Sequence, residues 1–241
     1  MHIESIPMWT GKGNNYAYLI SDEPTKDAVI VDPANPPDHW DHAGGNDGIA
    51  SLPFWCNIKL TNSDCGYQLQ QFGNLDVIGG KDCKMVTKTP AHGEKFKIGD
   101  RITVTALHTP CHTQDSICYF AEDGNQRVVF TGDTLFIAGC GRFFEGNAQE
   151  MHRALNEVLA TLPDDTKVYP GHEYTKSNVK FCLSVSQSEP IQKLQAYCEN
   201  NSRTELHNVF MRVTDPEMQK ATGMTSPVDV MNALREMKNA A

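Results

Sequence analysis

No stretch of this sequence is apolar for long enough to cross a membrane, and no cluster of basic residues is present. A membrane-spanning helix needs roughly 20 apolar residues, and residues 1–20 have neither the basic nor the apolar segment of a secretory signal. We therefore expect a cytoplasmic protein without a membrane partner, and we leave a mitochondrial location open. The net charge of −9 argues against a phosphate-binding surface, so we expect no nucleic-acid partner.

Paired cysteines are also missing. The eight cysteines are scattered and contain no CxxC pair, and no secretory signal accompanies them, so a disulfide framework is not expected. We predict reduced thiols, most of them buried. Their positions are Cys56, Cys65, Cys83, Cys111, Cys118, Cys140, Cys182 and Cys198.

What the sequence does contain is typical of a globular protein. Hydrophobic residues make up 39% and charged residues 21% of the 241 residues, enough for one sizeable core and a small appendage. Strand-like runs give way to helical ones near residue 175. We predict an α/β domain over residues 1–174, a helical domain over residues 175–241, and a monomeric chain.

Short β-rich runs closed by turn residues fill most of the first domain. Residues 147–162 are predicted to form a helix because their apolar residues recur at helical spacing. The predicted strands lie within residues 2–8, 15–21, 27–33, 75–80, 94–99, 101–109, 115–121, 126–133 and 167–172. The predicted later helices lie within residues 178–187, 190–200, 215–222 and 227–241.

Residues 34–75 do not follow this pattern. A layered α/β domain should have a helix and another strand after its third strand, yet only ANPP stands before the stretch DHWDH. That connection is too short for a helical crossover, which takes about a dozen residues. Residues 48–66 have no clear helical or strand period. Either a central strand is missing and strand edges are exposed, or this insert fills the gap.

Four stretches place His or Asp beside turn-forming Gly or Pro, where loops on a rigid scaffold usually hold functional groups. They are HWDHAGGN (39–46), TPCHT (109–113), FTGDTLF (130–136) and YPGHEYT (169–175). Zinc and iron take His nitrogen and carboxylate oxygen, and a two-metal site needs about seven such donors. The candidate metal ligands are His39, Asp41, His42, His112, Asp133 and His172.

Two neighbouring metal ions lower the pKa of a bridging water by their charge and stabilise an oxyanion, which suits hydrolysis of an acyl or phosphoryl bond. A lone loop histidine is usually exposed or hydrogen-bonded instead. Cys111, beside His112, could act as a nucleophile or ligand, but a small buried thiol is the favoured role. The exposed or hydrogen-bonded role is assigned to His2, His92, His108, His152 and His207.

With these stretches in view, the sequence resembles glyoxalase II, the hydroxyacylglutathione hydrolases of the metallo-β-lactamase superfamily. The resemblance rests on HWDHAGGN, TPCHTQDSICYF, FTGDTLFIAGCGRFFEG, YPGHEYT, NVFMR and the closing LREMK. It is nearly continuous from residue 76 to the end and includes residues 1–33. Within residues 34–75 it is limited to DHWDHAGGND and YQLQQF.

The resemblance implies an αββα sandwich with a C-terminal helical glutathione-binding domain. It also implies hydrolysis of S-(2-hydroxyacyl)glutathione thioesters, with S-lactoylglutathione giving lactate and glutathione in methylglyoxal detoxification. Two divalent metal ions are implied, and zinc is favoured although iron and manganese also suit these donors.

Roles for the candidate ligands follow from the resemblance residue by residue. His39 and His112 would bind the first metal, and Asp133 would bridge the two metals. The second metal would be bound by Asp41, His42 and His172. Asp41 and Asp133 are therefore also counted as catalytic residues.

The resemblance further implies a glutathione site. Arg142, Phe144 and Tyr174 lie in the corresponding motifs, and the RxxK pair Arg235 and Lys238 matches the cations that hold the glycine carboxylate. Family members often have Lys and Tyr where this chain has Arg142 and Phe144, so a hydroxyl donor is lost here. Without the resemblance, Arg235 and Lys238 would be interpreted as part of an ordinary solvated helix face.

The first metal-binding motif departs from the family pattern Thr-His-x-His-x-Asp-His. Counting back from His42, the Thr falls on Pro36 and the first His on Pro37, and proline cannot bind a metal. We hypothesise that a splicing or gene-model difference removed one coding segment before Asp38 and added residues after Asp47. Sequencing the transcript tests this, and an mRNA that encodes the chain intact would refute it.

The departure leaves the first metal with His39, His112 and Asp133 as protein ligands. Three protein donors and a water still make a catalytic zinc site. Asp38 is a weak substitute, because side-chain alternation directs it away from the side that His39 faces.

Two other functions are considered. A persulfide dioxygenase of the same superfamily uses one iron, but those relatives rely on the His replaced by Pro37 and lack the C-terminal helical domain. A glutathione-conjugate-binding protein without catalysis would need Tyr174, Arg235 and Lys238 but no metal.

Overall fold

A computed structural model describes residues 1–8, 15–32, 58–61, 76–82, 86–200 and 208–240. In these residues two five-stranded sheets face each other, and helices cover the outer face of the second sheet. Several residues singled out in the sequence lie outside the described residues. These are Pro36, Pro37, Asp38, His39, Asp41, His42, Asp47, Cys56, Cys65, Cys83 and His207.

The first sheet has the strand order β1-β2-β3-β4-β5. Its first three strands are antiparallel, and β3, β4 and β5 are parallel. The strands are β1 (His2–Met8), β2 (Asn15–Ser21), β3 (Ala28–Val31), β4 (Ile58–Thr61) and β5 (Val77–Ile78). The strands predicted near β1, β2, β3 and β5 are confirmed.

Strand β4 comes from the insert that has no clear period. Its backbone pairs with β3 from Ala28↔Ile58 to Val31↔Thr61, and with β5 at Leu60↔Val77. The prediction of a missing central strand is therefore wrong, and the alternative, that the insert fills the gap, is confirmed. Residues 39–42 thus precede the central strand in sequence, whereas the expected order places the catalytic loop after it.

The second sheet has the strand order β12-β9-β8-β7-β6. Strands β6 to β9 are antiparallel neighbours, and β12 runs parallel to β9. Each strand lies at or near its predicted place. The strands are β6 (Lys95–Ile98), β7 (Ile102–His108), β8 (Ile117–Asp123), β9 (Gln126–Gly132) and β12 (Lys167–Pro170).

Both faces of the second sheet are buried, which explains why β8 and β9 are apolar on both sides rather than alternating with polar residues. Tyr119 and Phe130 pack against the first sheet in one core cluster. Phe120 and Val129, their neighbours in sequence, point the other way and pack against the helices.

A short hairpin follows β9, with β10 (Leu135–Phe136) paired to β11 (Gly139–Cys140). The sequence did not predict it. Ala138 in its turn has a φ of 56°, a left-handed conformation that costs a residue with a side chain about 1–2 kcal/mol. Surrounding contacts must therefore hold this turn in place.

The helix predicted over residues 147–162 is present but is not uniform. Helix α1 (Ala148–His152) begins at Asn147, whose side chain forms a capping box with Glu150. The chain continues as a π-helix over Arg153–Val158 and a 3₁₀ turn over Leu159–Thr161.

The remaining helices share one apolar core with the outer face of the second sheet; Phe181, Ile191, Phe210 and Leu234 are among its buried residues. Their predicted positions are confirmed within a few residues. They are α2 (Thr175–Val185), α3 (Glu189–Asn200), a 3₁₀ turn (Val209–Met211), α4 (Pro216–Thr222) and α5 (Pro227–Ala240). None of the helices in the described residues is long and apolar enough to span a membrane.

Because β4 is paired on both sides, we expect the loss of one of its backbone hydrogen-bond donors to lower the stability of the protein. Lys59→Pro removes an N–H from a strand that lies between two partners, and the loss of ladder bonding should lower the free energy of unfolding by roughly 1–3 kcal/mol. Lys59→Ala, which keeps the N–H, is the matched control. Urea unfolding measures both variants, and equal stabilities would contradict the assignment of residues 58–61 to the sheet.

Candidate metal and substrate site

The strand order brings three of the candidate loops to one edge of the second sheet. Strands β7 and β9 both run antiparallel to β8, and β12 runs parallel to β9. The carboxyl ends of β7, β9 and β12 therefore lie at the same edge. His112, Asp133 and His172 follow these three ends, so the fold places them together.

The loop that carries His112 is held by its own hydrogen bonds. The Thr109 amide donates to the Ser116 carbonyl at 2.9 Å, and the Cys111 amide donates to the Thr113 carbonyl at 3.1 Å. The Thr109 and Thr134 hydroxyls are hydrogen-bonded at 3.2 Å. This last contact ties the loop to the residue that follows Asp133.

His112 and His172 converge on one carboxylate oxygen. Nε2 of each ring lies 3.4 Å from Oδ2 of Asp133. His172 is buried, and the Gly171 amide before it donates to the Gly132 carbonyl at 2.9 Å. The structure therefore brings together the three predicted ligands that lie within its described residues.

The hydrogen bonding of His112 suits a metal ligand. Its Nδ1 lies 2.9 Å from the carbonyl oxygen of Arg142, and a carbonyl can only accept, so Nδ1 carries the proton. Nε2 is then the nitrogen with a free lone pair, directed to the side where Asp133 and His172 lie. A metal-binding histidine usually has this arrangement, with its other ring nitrogen donating to a backbone carbonyl.

The three side chains do not enclose an ion by themselves. Within the described part of the chain, no group of three His, Cys, Asp or Glu residues is arranged to hold a metal. The other predicted ligands, His39, Asp41 and His42, lie outside it. Buried Asp32, directly after β3, lies close to Gly132, the residue before Asp133. Two imidazoles and a carboxylate are the donor types that zinc and similar divalent metals use, so the three side chains fit part of a metal site.

Glycines permit the close packing behind these ligands. A Cβ at Gly141 would lie 1.9 Å from the Asp133 carbonyl oxygen and 2.9 Å from Nδ1 of His112. A Cβ at Gly171 would lie 2.8 Å from Oδ1 of Asp133. Only glycine fits at these two positions without moving the ligands.

Two aromatic rings flank the ligands. The Phe144 ring lies 5.0 Å from the His112 ring, and the Tyr174 ring stacks on the His172 ring at 4.9 Å. Phe144 is 69% exposed and Tyr174 is 39% exposed. Exposed rings beside a polar cluster form a surface on which an apolar part of a ligand can rest.

Three cations lie close to one another beside this surface. Burial, helped by the neighbouring charges of Arg235 and Arg142 and opposed by Cys140, lowers the pKa of Lys238 to about 8. Burial also lowers the pKa of Arg235, and Arg142 contributes to that shift. Phe144 and Tyr174 therefore flank the converging histidines, and Arg142, Arg235 and Lys238 lie close enough to one another to affect each other's pKa.

The two cations of α5 are not part of an ordinary solvated helix face. Arg235 is 6% exposed, and its Nη1 donates to the Cys140 carbonyl at 3.2 Å. Lys238 donates through Nζ to Oδ1 of Asn178. Both cations lie near the Phe210 ring, 5.7 Å from its centroid.

Asn178 and Asn208 were missed as contributors to the site. The side chain of Asn178 donates to the Ile137 carbonyl at 2.9 Å, and that of Asn208 donates to the Gly139 carbonyl at 2.6 Å. Both are buried polar residues within apolar surroundings. Asn178 stands at the start of the helix predicted over residues 178–187, and no pattern in the sequence marks Asn208 as a buried donor.

The cysteine and lone-histidine predictions are confirmed where the structure describes them. Cys111 is fully buried, its Sγ lies 3.4 Å from the Asn147 carbonyl, and burial raises its pKa to about 12, so it is neither a nucleophile nor a ligand. Cys118, Cys140, Cys182 and Cys198 are also buried and are reduced thiols. His92 and His108 are engaged in hydrogen bonds with backbone groups.

Comparisons with known families match two parts of the chain. Residues 38–172 match a family described as "Metallo-beta-lactamase superfamily". Residues 173–241 match a family described as "Hydroxyacylglutathione hydrolase C-terminus".

Similar proteins extend over the whole chain. The "Probable hydroxyacylglutathione hydrolase glo2" of Schizosaccharomyces pombe is 45% identical, covering 100% of this chain and 99% of that protein. The "Hydroxyacylglutathione hydrolase, cytoplasmic isozyme" of Saccharomyces cerevisiae is 39% identical, covering 99% of each. The first alignment has 273 positions, more than the 241 residues of this chain, so it opens gaps in this chain.

A solved structure has the same fold. The crystal structure of ETHE1 from Myxococcus xanthus superimposes with a TM-score of 0.57 and 28% sequence identity. The match covers 83% of this chain and 91% of that one.

The close packing at Gly141 predicts that a methyl group there displaces His112. Gly141→Ala should lower the free energy of unfolding by roughly 1–3 kcal/mol through overpacking and weaken divalent-metal affinity by about 10–100-fold by moving the carbonyl behind His112. Metal titration of metal-free protein measures the second effect.

Gly93→Ala is the control for this variant. Gly93 has a φ of 80°, and a Cβ added there would meet no atom of the described residues within 4 Å. Gly93→Ala should therefore lower the free energy of unfolding through backbone strain and not through a steric clash. An unchanged metal affinity in Gly141→Ala, or an equal loss in Gly93→Ala, would contradict the assigned role of Gly141.

Proposed function

Because this chain belongs to the hydroxyacylglutathione hydrolase family of the metallo-β-lactamase superfamily, we propose that it hydrolyses S-(2-hydroxyacyl)glutathione thioesters. S-lactoylglutathione is the proposed substrate, and lactate and glutathione are the products, as in methylglyoxal detoxification. The observation that carries the proposal is the convergence of two imidazole Nε2 atoms on one oxygen of Asp133, beside exposed aromatic rings and cations.

The family binds divalent metal ions, and we propose that this chain holds two, with zinc favoured. His39, His112 and Asp133 would hold one, and Asp133 with Asp41, His42 and His172 would hold the other. A divalent metal supplies Lewis-acid polarisation of a carbonyl and a nucleophilic water at neutral pH. Because Pro37 stands where the family has a histidine, we expect the first position to bind its ion more weakly.

The protein's own groups orient the reaction around Asp133. Its Oδ2 lies 3.4 Å from Nε2 of both His112 and His172. One carboxylate therefore lies between the two histidines that are proposed to bind different metal ions. Through Nδ1, His112 is held by the Arg142 carbonyl at 2.9 Å, which keeps its Nε2 directed toward the same point. The Phe144 ring lies beside His112, and the Tyr174 ring stacks on His172.

We propose that the glutathione part lies on the surface formed by Phe144 and Tyr174. Glutathione carries carboxylates at both ends, and Arg142 and Lys238 supply positive charge beside this surface. Local cations are needed because the chain as a whole carries a net charge of −9. Phe144 offers only its ring, whereas Tyr174 also offers a hydroxyl.

Several finer assignments accompany this proposal. We propose a division into a catalytic domain, residues 1–174, and a glutathione-binding domain, residues 175–241; the two family matches meet between residues 172 and 173, which supports it. We also propose a monomer in the cytoplasm, the location in the name of the Saccharomyces cerevisiae relative. The match over residues 173–241 favours the hydrolase over the persulfide dioxygenase.

Thioester hydrolysis with S-lactoylglutathione is the direct test. We expect turnover that increases with added divalent metal, and we expect Asp133→Asn to reduce kcat at least about 100-fold, since metal-assisted charge stabilisation contributes several kcal/mol. Metal content per chain, measured by elemental analysis, should fall in the same variant. Exposed Asp164→Asn is the matched control and should leave both quantities unchanged.

Other outcomes would replace the proposal. Oxygen uptake with glutathione persulfide and no thioester hydrolysis would indicate the iron dioxygenase. Binding of a glutathione conjugate without turnover, and without bound metal in a cooperatively folding protein, would indicate the non-catalytic binder.

The lowered pKa of Lys238 predicts a pH effect on substrate capture. Lysine is charged below its pKa, so the positive charge at Lys238 is lost as pH rises through about 8. We expect kcat/KM for the anionic thioester, which reflects the free enzyme, to decline through that range. In Lys238→Arg the charge persists, and the decline should move to higher pH. A profile that is the same in both proteins would show that Lys238 does not bind the substrate.

A further inference from the structure

The loop that carries His112 and the segment that carries Phe144 lie directly against each other. We call residues 111–116 the His112 loop and residues 142–147 the Phe144 segment. A Cβ at Gly146 would lie 2.6 Å from Cα of Cys111, so the two backbones are in contact. The Glu145 amide also donates to the Cys111 carbonyl at 3.3 Å.

Gln114 connects the His112 loop to the Phe144 segment and the helix after it at three points. Its backbone amide donates to Oε2 of Glu145 at 2.7 Å, and its side-chain Nε2 donates to the Glu145 carbonyl at 3.0 Å. The same Nε2 lies 3.4 Å from Oε1 of Glu150 on α1. Gln114 therefore holds Glu145 by both its backbone and its side chain.

The His112 loop is itself anchored by other contacts. The Thr113 and Ser116 hydroxyls are hydrogen-bonded at 2.8 Å, and the Ser116 amide donates to the Thr113 carbonyl at 3.4 Å. Oδ2 of Asp115 accepts from the Asp82 amide at 2.6 Å, in the chain that follows β5. Gln114 thus projects from a loop that is fixed on both sides of it, and it can position the segment to which it is bonded.

Phe144 depends on its neighbours in sequence for its position. Its side chain is 69% exposed, so its own packing restrains it little. Phe143 before it packs against the core that the helices share, and Glu145 after it is held by Gln114. The Phe144 ring then lies 5.0 Å from the His112 ring, on the surface proposed for glutathione.

We propose that Gln114 is a positioning residue for Phe144. By fixing Glu145 it holds the Phe144 ring beside His112, where the ring forms one side of the glutathione surface. The effect of Gln114 on substrate binding passes through Phe144 and needs no contact between Gln114 and the substrate. The inference deepens the proposed function, on which its kinetic part rests.

Hydrogen exchange tests the contact in the absence of any substrate. Gln114→Met keeps the length of the side chain but removes its N–H donors. We expect the backbone amides of residues 143–147 to exchange about 2–10-fold faster in this variant, as the loss of ordinary hydrogen bonds implies. Gln126→Met, at an exposed glutamine that begins β9, is the matched control and should leave this exchange unchanged.

Steady-state kinetics with S-lactoylglutathione test the consequence for binding. In Gln114→Met we expect KM to rise about 2–10-fold, while kcat and the metal content per chain change less than about twofold. A double-mutant cycle with Phe144→Ala tests the route of this effect. Adding Gln114→Met to Phe144→Ala should change KM by less than about twofold, because the ring that Gln114 positions is already gone.

The possible failures are distinguishable. If the wild-type protein does not hydrolyse the thioester, the proposed function fails, and faster exchange in Gln114→Met still supports the positioning of the Phe144 segment. Unchanged exchange of residues 143–147 overturns the inference whatever the activity. A full further rise of KM in the double variant would show that Gln114 meets the substrate directly, and the inference would then be wrong. Gln114 is exposed, so thermal melting should show that each single variant folds.

Discussion

Buried backbone carbonyls need donors, and this requirement joins the two halves of the protein. The hairpin of β10 and β11 is too short to satisfy its own carbonyls, so Asn178, Cys182, Asn208 and Arg235 satisfy them from the C-terminal region. The same hairpin leads directly to the peptide that orients His112. A helical region that looks like an appendage in the sequence is therefore part of the support of the ligand loop.

The second sheet provides the other half of this support. Its strand order brings the ends of β7, β9 and β12 to one edge, and this order does not depend on residues 33–57. Three candidate ligands are consequently placed even though the first motif departs from the family pattern. The first sheet retains a central strand because β4 pairs between β3 and β5, and backbone pairing of this kind makes few demands on which residues supply it.

Much of the fold and part of the site could be predicted from the sequence. Strands with strong β propensity and helices with apolar periodicity were placed correctly, because local pattern decides them. Strand β4 was missed because its four residues, IKLT, are too few to show a strand pattern. They become a strand by pairing with β3 and β5. The hairpin was missed for a related reason: its turn at Ala138 is left-handed and is held by residues distant in sequence, so no local signal marks it.

The RxxK pair illustrates why spacing alone cannot assign roles. Arg235 and Lys238 lie three residues apart on α5, so they share one helix face, and a motif treats them as equivalent. The helix packs at its Arg235 end against the hairpin, and there the guanidinium is buried among carbonyls that need its donors. Lys238, one turn later, is only partly buried. Burial and its cationic neighbours lower its pKa to about 8, so an anionic ligand beside it would stabilise its charged form. Depth along the helix, which only the packed structure defines, thus gives the two cations different surroundings.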